Sequence, residues 1–131
     1  MHGRQAPRVL VVDDHPGMRK ALCSLLHRRG CAVEAAADGR EALECLARER
    51  FDAVVSDIEM PVMDGLTLQR HVVAQHPALR HRFLLCSGLS LPPLSLDPAV
   101  PFLQKPVGDE ELWAALCRLL AAPAETPATS D

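Results

Sequence analysis

The sequence predicts an α/β domain in which a parallel sheet is covered by helices on both faces. Three observations predict it. Short β-branched apolar runs alternate with segments of helical period, the connections between them are short, and the runs close on polar or charged residues. At 131 residues, 48% of them hydrophobic, the chain has the size of one domain around one core. Three Phe, one Trp and no Tyr leave Leu, Val and Ala to build that core.

The elements follow in order. Arg8 to Asp13 is a continuous apolar run closed by acids, as a strand buried on both faces requires. Met18, Leu22, Leu25 and Leu26 keep helical spacing until Gly30 stops the helix. Cys31 to Ala36 is a second short strand. Asp38 is placed to cap a helix whose apolar stripe is Ala42, Leu43, Leu46 and Ala47. Phe51 to Asp57 is a third strand, again ending on an acid. A loop through Pro61 leads to a helix from about Asp64 to Gln75, stopped before Pro77. Arg82 to Ser87 is a fourth strand and Val100 to Gln104 a fifth. The last helix runs from Gly108 to Leu120, with Leu112, Leu116, Leu119 and Leu120 inward. No internal repeat is present.

Composition excludes several classes. A net charge of −3, with two lysines among 14 basic residues, argues against direct nucleic-acid binding through a basic surface. Apolar stretches are far too short to span a membrane. The first ten residues lack the apolar core of a signal peptide, so the expected location is cytoplasmic. The five cysteines form no CxxC pair and read as reduced, mostly buried small hydrophobes. His71, His76 and His81 recur every five residues, which turns successive members about 140° apart on a helix. They share no face, and solvated or capping roles are expected of them.

In a parallel sheet, ligands bind outside the carboxyl ends of the strands. Those ends carry Asp13 and Asp14, Asp57, Ser87 and Lys105. Three carboxylates on one rim repel one another, and a hard divalent cation relieves that conflict. Magnesium suits oxygen ligands and phosphate oxygens, and Lys105 adds a point charge for a phosphoryl group. No GxxxxGK[ST] loop is present, which argues against a nucleotide triphosphatase. What remains is a phosphoryl site in which a carboxylate can itself be the nucleophile.

Four motifs carry a resemblance: Val11-Val-Asp13-Asp14, Ser56-Asp57-Ile-Glu-Met-Pro61-Val-Met-Asp-Gly65, Cys86-Ser87-Gly88 and Gln104-Lys105-Pro106. Over about Arg8 to Ala121 the sequence resembles the receiver domain of two-component response regulators. The resemblance implies the flavodoxin-like, doubly wound five-stranded parallel sheet, order 2-1-3-4-5. It implies that Asp57 accepts a phosphoryl group from a phosphohistidine on a sensor histidine kinase or histidine phosphotransfer protein. Asp14 matches the direct metal ligand, Asp13 the acid acting through metal-bound water, and Glu59 supplies its backbone carbonyl. Mg2+ or Mn2+ is the implied ion. Ser87 matches the switch hydroxyl, Phe102 the switch aromatic and Lys105 the phosphate-contacting lysine, with a cis Lys105-Pro106 bond. The implied chemistry is the domain's own phosphotransfer and dephosphorylation, not an enzyme acting on other substrates.

Blander roles stand beside these. Asp13-Asp14 is also what a solvated strand end looks like, and Phe102 what a core residue looks like. Met60 and Met63 read as packing. Asp64-Gly65 reads as a helix start. His15, at the mouth of the site, reads as a spectator or as a group touching solvent near the phosphoryl, and Glu59, likewise at the mouth, as a group placed to hinder or orient an attacking water. Residues 1–7 are expected to be an arm, 8–121 the receiver, and 122–131, rich in Pro, Ala and Thr, a tail or linker. The family places a fourth helix between the fourth and fifth strands. Here Pro92, Pro93, Pro98 and Pro101 remove N–H donors, so that helix is expected to shrink to about one turn or vanish. The output and dimer contacts carried by that face, a homodimer included, are left open. Two other organisations also remain: a receiver cut from a hybrid sensor kinase or effector-bearing regulator, and an unphosphorylated pseudo-receiver acting as an interaction module.

Overall fold

The computed structural model describes residues 6–121. The order of elements is β1 (Arg8–Val12), α1 (Pro16–Arg28), β2 (Ala32–Ala36), α2 (Gly39–Arg48), β3 (Ala53–Asp57), α3 (Gly65–Gln75), a 3-10 turn (Pro77–Leu79), β4 (Phe83–Ser87), β5 (Phe102–Gln104) and α4 (Asp109–Ala121). All five strands pair in parallel, as the sequence pattern predicts, in the order β2-β1-β3-β4-β5 that the resemblance implies. The tail at 122–131 and most of the arm lie outside the described residues.

Strand alternation divides the core in two. Leu10, Val12, Val54, Phe83 and Leu85 face the layer that α2 and α3 cover, together with Ala42, Leu46, Leu68 and Val72. Val9, Val11, Ala53, Val55 and Leu84 face the opposite layer, against Leu25 and Leu26 of α1 and Leu112, Leu116 and Leu119 of α4. A strand buried on both sides has no polar face, hence the unbroken apolar runs. Fully burying each such Leu or Val stabilises the fold by roughly 1.5–3 kcal/mol.

Local signals fix the helix ends. The Asp38 carboxylate accepts the Glu41 N–H at 2.9 Å, and the Glu41 side chain reaches back to the Ala37 N–H at 2.9 Å. Asp64 caps α3 by accepting the Thr67 N–H at 2.8 Å. Gly30 ends α1 at a φ of 92°, a left-handed conformation that favours glycine. Two details go beyond the sequence reading. Helix α1 starts at Pro16, whose fixed φ and missing N–H suit a first helical position. A 3-10 turn, Pro77–Leu79, follows α3, and the sequence pattern assigns no element there.

Between β4 and β5 the described residues form no helix, only turns. The four prolines leave few donors, and the segment closes on local bonds such as Leu96 N–H to Pro93 O at 3.0 Å and Val100 N–H to Asp97 O at 2.9 Å. Leu96 and Val100 anchor it in the core on the α2–α3 side, while Leu89, Leu91 and Leu94 face solvent.

Candidate functional site

Strand register brings the chemistry together. Val12 pairs with Ser56, Asp57 with Cys86, and Ser87 with Gln104. The strand ends are therefore level, and the residues just beyond them share one rim. Asp13, the residue after β1, is held by its N–H to Ala36 O at 3.1 Å. Lys105, the residue after β5, is held by its N–H to Ser87 O at 2.7 Å and followed by a cis peptide to Pro106.

Asp13 and Asp57 are buried, at 1% and 3% exposure, and Asp14 is half-buried. The Lys105 Nζ lies 3.1 Å from Asp57 Oδ2 and 3.6 Å from Asp13 Oδ2. One face of the Asp57 carboxylate is thus neutralised and the other is not: Asp57 Oδ1 and Asp14 Oδ1 are buried without a hydrogen bond. Asp13, Asp14, His15 and Asp57 each offer a ligand atom, all within 4.8 Å of one another. Below the rim lies a cavity of about 90 Å3, lined largely by Val12, Met18, Leu22, Val55, Val107 and Leu112. This apolar floor is why burial pushes the Asp57 carboxyl up from its ordinary range; Asp13 and Glu59 add to the shift, and Lys105 opposes it. Burial works to lower Lys105, but its bond to Asp57 and the charges of Asp57 and Asp13 outweigh that and raise it, so the ammonium persists. Cys86, opposite Asp57, is pushed up to about 12 by burial and is no rival nucleophile.

Buried carboxylate oxygens without partners are costly, and a divalent cation that accepts hard oxygen ligands removes the cost. The donor set of Asp13, Asp14 and Asp57 fits such an ion. The backbone beside it is tightly built. A Cβ on Gly65 would sit 2.3 Å from Asp57 O and 2.9 Å from Ile58 Cα, so the first residue of α3 must be glycine to lie against the end of β3. Gly65 N–H also donates to Ile58 O at 2.8 Å. In the loop between, Val62 has a φ of 72° and Met63 N–H bonds Pro61 O at 2.7 Å, a strained γ-turn.

Two predicted residues have contacts that the sequence did not foretell. Ser87 is fully buried, and its hydroxyl donates to Glu59 Oε2 at 2.6 Å rather than turning to Asp57. Glu59, singled out for its backbone carbonyl, acts through its side chain as well. Leu89 N–H in turn donates to Ser87 Oγ at 3.0 Å. His15 is the second: its Nδ1 lies 3.3 Å from Asp14 Oδ1 and 3.5 Å from Asp13 Oδ1. Phe102 is half-buried at the start of β5 and packs against the core on the α2–α3 side. Asp64-Gly65 is the helix start that the sequence suggested, but Gly65 also sets how closely α3 approaches Asp57. A glycine directly after a capping Asp was the signal available for it.

The profile of the response regulator receiver domain family matches residues 9–117. Response regulator MprA of Mycolicibacterium vanbaalenii is 41% identical over 115 residues, covering 86% of this chain and 50% of the relative. The chemotaxis response regulator CheY4 of Vibrio cholerae superposes with a TM-score of 0.79 at 33% identity, covering 88% of this chain and 99% of that one. The response regulator protein TrrA of Thermotoga maritima, in complex with Mg(2+)-BeF, superposes with a TM-score of 0.78 at 29% identity, covering 86% and 98%. The chain spans about a quarter to a half of the length of the curated relatives it matches.

Proposed function

The chain belongs to the response regulator receiver domains, the phosphoacceptor modules of two-component signalling, and on that premise we propose that Asp57 is its phosphoacceptor. The donor is a phosphohistidine on a sensor histidine kinase or histidine phosphotransfer protein. One observation carries this reading: Asp57 is a buried carboxylate with one oxygen on Lys105 and the other without a partner, facing the Asp13-Asp14 pair.

An Asp57 oxygen attacks phosphorus as the P–N bond of the donor breaks. The electrons of that bond return to the imidazole nitrogen and an acyl phosphate forms on Asp57. Asp14, Asp57 and the Glu59 backbone carbonyl, with Asp13 through a water, would hold a magnesium or manganese ion, which when bound would supply positive charge for the incoming phosphoryl oxygens. Lys105 leaves the carboxylate and pairs with a phosphoryl oxygen, neutralising charge on the other side. The Ser87 hydroxyl exchanges Glu59 for another phosphoryl oxygen, and Phe102 moves with it as the switch aromatic. Hydrolysis of the same acyl phosphate resets the domain. No other substrate chemistry is assigned to the chain.

Residues 8–121 are the receiver on this reading, 1–7 an arm and 122–131 a tail or the start of a linker. The curated relatives carry this match within longer chains, which suits a receiver from a hybrid sensor kinase or effector-bearing regulator no better than a receiver that acts by itself. The pseudo-receiver reading has no comparable support. No described helix is long and apolar enough to cross a membrane, and we assign the domain to the cytoplasm with no direct nucleic-acid binding. Self-association is left to measurement. The test is incubation with acetyl phosphate and magnesium, followed by intact mass. One phosphoryl group is expected on the parent and none on Asp57→Asn. An unmodified parent, or an equally modified variant, overturns the assignment.

A further inference from the structure

We propose that His15 supplies a nitrogen ligand to the cation at the Asp13–Asp14–Asp57 rim, so that the site holds borderline cations of the cobalt(II) class more tightly than its oxygen ligands alone would. The inference rests on the reading of that rim as a metal site and names a further ligand for it.

The first support is position. The Nδ1 atom of His15 lies 3.3 Å from Asp14 Oδ1 and 3.5 Å from Asp13 Oδ1, and it joins the acids in a set whose members are all within 4.8 Å. Metal–ligand bonds of about 2.1 Å place opposite ligands about 4.2 Å apart. Small side-chain movements therefore bring Asp14, Asp57 and His15 onto one ion, with Asp13 close enough to act through a bound water. The ring has room for such a move, since the His15 side chain is 71% exposed.

The second support is what His15 does not do. It occupies the N-cap of α1, where Ser, Thr, Asp or Asn would accept an N–H of the first turn, and its side chain makes no cap bond. The ring lies instead against the two carboxylates. The third support points to a ligand independently of the acids' number: Asp57, 3% exposed, keeps Oδ1 without a partner at the same cluster.

Two roles of the imidazole differ in their consequences. As a hydrogen-bonded neighbour or a counter-charge it would treat all divalent cations alike. As a nitrogen donor it discriminates: carboxylates and water suit Mg2+, imidazole suits later transition metals, and affinity rises from Mn2+ through Co2+ to Ni2+. The affinity ratio of Co2+ to Mg2+ is therefore the diagnostic quantity.

Dissociation constants for Mg2+ and Co2+ are measured by calorimetry on the parent, His15→Gln and His15→Ala. Paramagnetically shifted imidazole resonances are followed in the Co2+ form. The expected result is Co2+ binding weakened about tenfold in both variants, Mg2+ binding within about twofold of the parent, and loss of one shifted imidazole signal. If both cations bind both variants as they bind the parent, or tighten in parallel, His15 is not a ligand. If neither cation binds the parent, the metal reading of the rim itself falls. Absence of a cap bond lets both variants keep α1, and circular dichroism checks it.

Discussion

Gly65→Ala opposes two effects of known size. Within a helix, alanine is favoured over glycine by about 1 kcal/mol, so propensity alone makes the change stabilising. The structure says otherwise. The new Cβ would sit 2.3 Å from Asp57 O, 2.9 Å from Ile58 Cα and 3.1 Å from the Asp57 carbonyl carbon. All three atoms are backbone of the β3 end, and none can swing aside as a side-chain tip can. Relief to an ordinary contact requires the start of α3 to retreat by about 1 Å, an overpacking cost of about 1–3 kcal/mol. The same retreat stretches the Gly65 N–H bond to Ile58 O, now 2.8 Å, for about 1 kcal/mol more. Net of the propensity gain, destabilisation of about 1–3 kcal/mol is expected in urea unfolding. Because the displaced atoms belong to Asp57 itself, beryllofluoride binding in magnesium should weaken as well. A variant as stable as the parent or more so, with unchanged beryllofluoride affinity, would refute the close-approach argument.

Two further outcomes follow from the same rim. Glu59→Ala frees the Ser87 hydroxyl from a 2.6 Å charge-assisted bond; discounted for the exposure of Glu59, the bond contributes about 1 kcal/mol, so beryllofluoride affinity should rise about fivefold, and no gain by fluorescence or NMR titration would mean that the bond does not hold the switch. Asp57→Asn tests linkage. The folded-state pKa of Asp57 is raised, so the native state binds more protons than the unfolded one and loses stability as pH rises through that range. In metal-free buffer at pH 7 the amide variant should therefore melt above the parent, the gap closing as pH falls below the ordinary carboxylate range. Adding magnesium should raise the melting temperature of the parent alone; a metal-free parent that gains stability relative to Asp57→Asn as pH rises from 4 to 7 would contradict the raised pKa.

The fold was legible because its signals are local. Val9 to Val12 alternate between the two core layers, and an apolar run closed by acids is what such a strand requires. Asp38 and Asp64 announce their helices by capping chemistry, and four prolines announce a missing one. The rim was legible in composition, since strand ends in a parallel sheet must converge. What stayed hidden depends on distances across loops. Nothing local says that the Glu59 side chain will meet Ser87, or that the His15 ring will turn to Asp13 and Asp14 rather than to solvent. The start of α1 at Pro16 and the turn at Pro77–Leu79 were missed because proline reads equally as an end or a beginning.

On the proposed reading Lys105 and Ser87 both meet a phosphoryl oxygen, and both are held by carboxylates in this state, Lys105 by Asp57 and Ser87 by Glu59. A phosphoryl group offers each a stronger partner, so its arrival breaks both bonds in the same event. The consequences differ on the two sides. Lys105 is fixed through its N–H to Ser87 O and can only re-aim its side chain. The hydroxyl of Ser87, by contrast, also accepts the Leu89 N–H at 3.0 Å, and the Gly88 N–H makes a long 3.5 Å contact with the same Glu59. Moving that hydroxyl therefore re-bonds the first residues of the segment that replaces the helix between β4 and β5. The segment is pinned downstream by Leu96 and Val100, while Leu89, Leu91 and Leu94 stand in solvent between the two fixed points. On the proposed reading a change at Ser87 would be absorbed in that stretch before reaching the anchors, so the exposed leucines, and not a helix face, are where phosphorylation would alter the surface.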